Sequence, residues 1–97
     1  MNIVKTQENQ SLTLQLEGRL DTTTAPALEQ ELKDSLNGTH LVLDMEQLAY
    51  LSSAGLRVIL AAQKQMNKQG QMVVRHVNDT IMEVFNLTGF SDILTIE

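Results

Sequence analysis

The sequence predicts an α/β fold: a mixed sheet of four to five strands with helices packed mainly on one face. Three observations carry that expectation. Strand-type and helix-type apolar periods alternate along the chain, the rhythm of strand–helix–strand crossovers and therefore of parallel pairing. The first two strand segments follow one another directly, so the sheet opens with an antiparallel hairpin. The length of 97 residues suits one hydrophobic core and is too short for two, so residues 1–97 are read as one domain.

Each element has its own signal. Residues 11–18 alternate Leu12, Leu14 and Leu16 with Thr13, Gln15 and Glu17, the period-two pattern of a strand with one face in the core and one in water. Residues 3–6 are expected to pair with it across Glu8, Asn9 and Gln10. A helix over residues 25–37 sets Ala25, Leu28, Leu32 and Leu36 on one face, with Thr24 as the expected cap, Pro26 in the first turn and Asn37-Gly38 as the stop. Leu41-Val42-Leu43 is a short unbroken apolar run, suited to a strand in the middle of a sheet.

A loop over residues 45–53 is then expected to lead into a second helix, 54–69, ended by Gly70. Its inward face carries Leu56, Ile59, Leu60 and Met66, while Arg57, Ala61, Lys64 and Lys68 fall on another face. Met72-Val73-Val74 reads as the next strand. Asn78 or Asp79 caps a third helix through Ile81, Met82 and Phe85, closed by Gly89, and Ile93-Leu94-Thr95-Ile96 reads as a last strand.

Composition narrows the function. The net charge is -5 and aromatic residues make up 3% of the chain. Nucleic-acid binding, which needs a basic footprint and stacking rings, is therefore disfavoured. No cysteine is present, which removes disulfides and thiolate chemistry. Apolar runs fall far short of the roughly 20 residues that cross a bilayer. Met1-Asn2-Ile3-Val4-Lys5 lacks the regions of a secretory signal. A cytoplasmic protein without membrane insertion is expected.

The chemistry-bearing residues are few. His40 and His76 have no recognisable ligand spacing, so no metal is implied, and Asp44 and Glu46 read as carboxylates that satisfy loop N–H groups at a strand end. No phosphate-binding glycine loop occurs, so no cofactor is implied either. The stripe Arg57, Lys64, Lys68 is a solvated helix face that can also steer an acidic partner. What remains is Ser52-Ser53, between an apolar segment and a helix. Taken alone, one serine of the pair caps the helix; a second reading presents a serine oxygen to a partner that modifies it. Ser53-Ala54-Gly55 also matches the second half of a G-x-S-x-G nucleophile elbow. Leu51 stands where its first glycine belongs, however, and neither histidine has spacing that marks it as the base. Catalysis is not expected.

Three blocks taken together are more specific than any one: Glu17-Gly18-Arg19-Leu20-Asp21, Leu41-Val42-Leu43-Asp44, and the stretch from Tyr50 through Ser52-Ser53-Ala54-Gly55-Leu56-Arg57 to Leu60. Their order and spacing resemble the STAS domain over essentially the whole chain, and within it the bacterial anti-sigma factor antagonists. The resemblance implies a regulatory protein that binds an anti-sigma factor serine kinase, is switched off when that kinase phosphorylates one serine, and is restored by a PP2C-type phosphatase. Matching Gly55-Leu56 and Val58-Ile59-Leu60 to the family places the acceptor at Ser53. Asp21, Thr22 and Thr24 then fall in a neighbouring loop that joins Ser52, Ser53, Ala54, Gly55 and Arg57 in the partner surface. Sporulation-type members commonly carry aspartate where this chain has Ser52, so Ser52 is expected to order the loop by hydrogen bonding. A STAS scaffold subunit of a lipid-transport or stress-signalling assembly, never phosphorylated, is the alternative.

Overall fold

The computed structural model describes residues 1–97. Strands β1 (Asn2–Glu8) and β2 (Ser11–Leu20) form the hairpin, with Ile3 opposite Leu16 and Glu8 opposite Ser11. Asn9 makes its turn at φ 51°, a left-handed conformation that asparagine tolerates well. Strand β3 (His40–Asp44) runs parallel to β2, and β5 (Gln71–Arg75) parallel to β3, giving the order β1-β2-β3-β5.

Strand β4 (Leu48–Leu51) was not expected; its residues fall in the predicted loop over 45–53. It pairs in parallel with Gly18–Leu20, where β2 extends beyond β3. The register shifts between Gly18 and Arg19, and Gly18 sits at φ 96°, a conformation that favours glycine. Four residues are too few to display a period, and their burial runs buried, exposed, exposed, buried, not in alternation.

Helices α1 (Ala25–Ser35), α2 (Ser53–Gln69) and α3 (Asp79–Thr88) complete the fold. Leu12, Leu14, Leu16, Leu41, Leu43, Met72 and Val74 are buried while the residues between them are half-buried or exposed. One sheet face thus supplies the core, and the buried stripe Ala25, Leu28, Leu32 and Leu36 agrees with the predicted face of α1. On α2 the inward face is rotated from the expected one: Val58, Ala62 and Gln63 are buried with Leu56, Ile59 and Met66, and Leu60 is half-buried. α1 packs on α2, α2 on β5 and α3 on β4. β1 is the exception to this burial, since only Ile3 of its seven residues is even half-buried.

The expected last strand, residues 93–96, is reduced to one bridge between Val74 and Ile96. A 3-10 turn, Phe90–Asp92, runs ahead of it and leaves Ile93 in a helical conformation at φ -98° and ψ -40°. Few residues then remain to extend. Asn78 is the cap of α3, accepting from Ile81 N–H at 3.0 Å, and its side-chain amide donates to the Leu48 carbonyl at 2.8 Å. Through this one side chain α3 is locked to β4. Asn78→Ala is expected to lower stability by about 1–3 kcal/mol in urea unfolding, whereas the exposed Asn86→Ala stays within about 0.5 kcal/mol of wild type.

Candidate functional site

The site forms where β4 delivers the chain to α2. Ser52 is extended, at φ -97° and ψ 174°, and its N–H donates to the Leu20 carbonyl at 2.9 Å. Its carbonyl accepts the first helical bond, from Leu56 N–H at 2.9 Å, and its Oγ accepts from Gly55 N–H at 3.4 Å. Ser52 is therefore the N-cap, and it ties the helix start to the end of β2. Ser53 follows as the first helical residue, exposed to solvent. Its hydroxyl stands at the positive end of the helix dipole, among first-turn N–H groups that have no helical acceptor.

Gly55 is buried beneath this surface. A Cβ there would lie 2.7 Å from Leu20 Cγ and 2.8 Å from Leu51 Cδ1, so the glycine lets α2 sit directly on the β2–β4 pair. It shapes the site from below.

The neighbouring loop is organised by Asp21. Its Oδ1 accepts from Thr23 N–H at 3.0 Å, Thr23 Oγ1 at 2.7 Å and Thr24 N–H at 3.2 Å. The cap expected of Thr24 is not made in the usual way. Its side chain accepts no bond from α1; instead Thr24 Oγ1 donates to the Arg19 carbonyl at 2.7 Å and accepts from Asp21 N–H at 2.8 Å. The aspartate carboxylate instead satisfies the free N–H groups of the turn that precedes α1, and the helix itself starts without a side-chain cap, Pro26 having no N–H to offer. The Thr23 hydroxyl bond, chiefly, lowers the Asp21 pKa; desolvation opposes it, and the Thr23 and Thr24 N–H groups and the Thr24 hydroxyl add to the lowering. Asp21 is ionised across the physiological range.

Between the starts of α1 and α2 lies a groove of about 240 Å³ lined by Thr22, Ala25, Pro26, Glu29, Ala54, Arg57 and Val58. Thr22, Ala54 and Arg57 were expected at the partner surface and meet here. Asp21, Thr24 and Ser52 form the hydrogen-bonded frame. Pro26, Glu29 and Val58 were not foreseen, because only the fold brings α1 alongside α2. Nor was the stack of Arg19 on Tyr50, 4.1 Å from guanidinium carbon to ring centre, with Arg19 Nε 3.5 Å from Asp21 Oδ2; the pairing of these two residues in the β2–β4 register sets it. Away from this face, Asp44 Oδ1 accepts from Glu46 N–H at 3.1 Å, the role expected of a strand-end carboxylate. No helix is long and apolar enough to cross a membrane.

Comparison with known proteins places these features in a context. The STAS domain profile matches residues 2–97. BtrV of Bordetella bronchiseptica is 37% identical over 84 residues, which are 84% of this chain and 72% of that protein. The anti-sigma-B factor antagonist of Bacillus subtilis is 30% identical over 101 residues, 99% of this chain and 92% of that one. Among solved structures, the antagonist SpoIIAA matches in its unphosphorylated form with a TM-score of 0.83 at 16% identity, covering 99% of this chain and 88% of that one. Its phosphorylated form, from Bacillus, matches with 0.77 at 15%, covering 99% and 91%.

The hydrogen bonds at this junction have measurable consequences. Ser52→Ala is expected to cost about 1 kcal/mol by loss of the cap, while Ser53→Ala changes stability by less than about 0.5 kcal/mol, both in urea unfolding. Folding lowers the Asp21 pKa, so its carboxylate stabilises the fold above the ordinary value of 3.8, and the contribution disappears as pH falls through the lower folded value. A chemical-shift titration is expected to give Asp21 a midpoint below 3.8, and Asp21→Asn to remove the corresponding part of the acid dependence of unfolding.

Proposed function

The chain belongs to the STAS domain family, and from that premise we propose that it is an anti-sigma factor antagonist, a regulatory protein without catalysis of its own. It binds an anti-sigma factor serine kinase, is switched off by phosphorylation at Ser53, and is restored by a PP2C-type phosphatase. The observation that carries this reading is the placement of Ser53: exposed, first in α2, held by the Ser52 cap and set beside the groove between the two helix starts. The relative named anti-sigma-B factor antagonist, and the existence of SpoIIAA in both phosphorylated and unphosphorylated forms, support it.

The geometry suits a switch that acts at an interface. Phosphorylation adds about -1.5 to -2 charges. On Ser53 that anion meets the positive end of α2, and Arg57, four residues on, lies on the same helix face. The free antagonist therefore accommodates the phosphate with little loss of fold. Docking is different, because a partner covering the groove must strip water from the phosphate and from the groups around it. A cost of about 4 kcal/mol lowers affinity nearly a thousandfold.

Intact-mass analysis of protein from its own cells, with peptide mapping, is expected to find phosphate on Ser53 and none on Ser52. Binding to the cognate kinase is expected to fall about a thousandfold in Ser53→Asp and to stay near wild type in Ser53→Ala. A protein that is never modified, and whose kinase binding ignores Ser53→Asp, would instead be a scaffold subunit.

A further inference from the structure

Away from Ser53 along the sheet, the ends of β3 and β5 bring together three potential metal ligands that the sequence keeps apart. Asp44 closes β3, Glu46 follows in the connection to β4, and His76 follows β5. One ligand atom from each lies within 4.8 Å of the others. His76 Nδ1 is 2.9 Å from Asp44 Oδ2 and 3.7 Å from Glu46 Oε2. Ligands at the roughly 2.05 Å bond length of a tetrahedral zinc ion stand about 3.3 Å apart, between those two separations. The imidazole thus stands within a few tenths of an ångström of the required spacing to both carboxylates, and the carboxylates, no more than 4.8 Å apart, close on a cation by rotation of the exposed Glu46 side chain.

The surroundings favour a cation in four ways. Asp44 Oδ1 is engaged by Glu46 N–H at 3.1 Å, which fixes the carboxylate and leaves Oδ2 to face the imidazole. The backbone beneath is held as well, since Met45 N–H donates to the Arg75 carbonyl at 2.9 Å. The negative charge is not met by a permanent cation: Arg75, next to His76, is bound to Glu97 at 2.6 Å, and His76 alone forms ion pairs with Asp44 and Glu46. A cavity of about 110 Å³ opens beside the two carboxylates, lined also by Gln15, Glu17 and Gln47. It has room for the water that would complete the coordination.

We propose that Asp44, Glu46 and His76 bind one first-row divalent cation of the zinc type, with a water or a polar side chain of the cavity as fourth ligand. The imidazole selects such an ion over magnesium and calcium, which take oxygen ligands. The bound ion clasps the β3–β4 connection to the end of β5. The site is independent of the regulatory reading: β2 pairs with Asp44 at Gln15 and with Leu51, two residues before Ser53, at Leu20, about 16 Å further along the strand.

The test is titration of the chelator-stripped full chain with Zn²⁺, followed by calorimetry and by the melting temperature, with Co²⁺ absorption as a probe of coordination. Wild type is expected to take up one ion and to melt at a higher temperature with it. His76→Asn suits the comparison, because residue 76 sits at φ 58° and asparagine tolerates that conformation. It is expected to weaken Zn²⁺ binding by about tenfold or more and Asp44→Asn to do likewise. His40→Asn, at the other histidine, changes it less than about twofold. Circular dichroism establishes that each variant is folded. Equal Zn²⁺ uptake by wild type and His76→Asn, loss of binding in His40→Asn, or no binding by wild type at about 1 mM Zn²⁺ would overturn the proposal.

Discussion

One backbone hydrogen bond governs the functional half of this molecule: Ser52 N–H to the Leu20 carbonyl, 2.9 Å. It ends the β2–β4 ladder and, through the same residue, begins α2. The two strands bring Leu20 and Leu51 together, and α2 comes down on them at the one place where no side chain intervenes, Gly55. Ser53 is exposed and Gly55 buried, two residues apart, because the strand pair dictates where the helix must start and which way it must be turned. The serine's accessibility is thus a property of the sheet and not of a flexible loop.

The electrostatics follow from the same arrangement. α1 begins one short turn after β2, and α2 begins directly after β4, so two helix starts flank one groove. Each brings roughly half a positive charge from its dipole, and Arg57 adds a whole one. Against a chain of net charge -5 this is a local concentration of positive charge. Asp21, ionised and saturated with hydrogen bonds, is spent on holding its own loop. Glu29 on α1 is the groove's acidic counterpart to Arg57. A partner therefore meets a surface with mixed signs at fixed positions, which rewards a matched charge pattern more than bulk attraction.

Much of this was legible beforehand where a side-chain period was long enough to read. The ten-residue β2 and the stripe of α1 fall as expected, and Asn78 and Gly89 bound α3 as their residue types suggest. The misses share a cause: the outcome was set by residues outside the segment that was read. β4 has no period of its own and exists because β2 offers it an edge. The apolar run at residues 93–96 has good strand propensity, yet the turn before it uses up Ile93. Thr24 is a fair cap by type, but its hydroxyl is engaged by the Arg19 carbonyl and the Asp21 N–H. On α2, Val58 and Gln63 are buried and Leu60 only half so, because the helix is oriented by Gly55 against Leu20 and Leu51 and not by its own apolar sum. The groove and the Asp44–His76 contact, 32 positions apart, are tertiary facts with no local trace.

β1 stands apart from all of this. Its residues face water almost throughout, and apart from its pairing with β2 it is tethered by Lys5, which reaches Glu31 Oε2 at 3.6 Å and Ser35 Oγ at 3.3 Å on α1. A strand that buries so little contributes little to the core and opens at low cost. The sheet's outer rim is consequently the molecule's sacrificial margin: it can peel and reclose many times while the β2–β4 pair stays shut. Its polar sequence, with Lys5 and Glu8 along the rim, discourages another chain from pairing there in the interval.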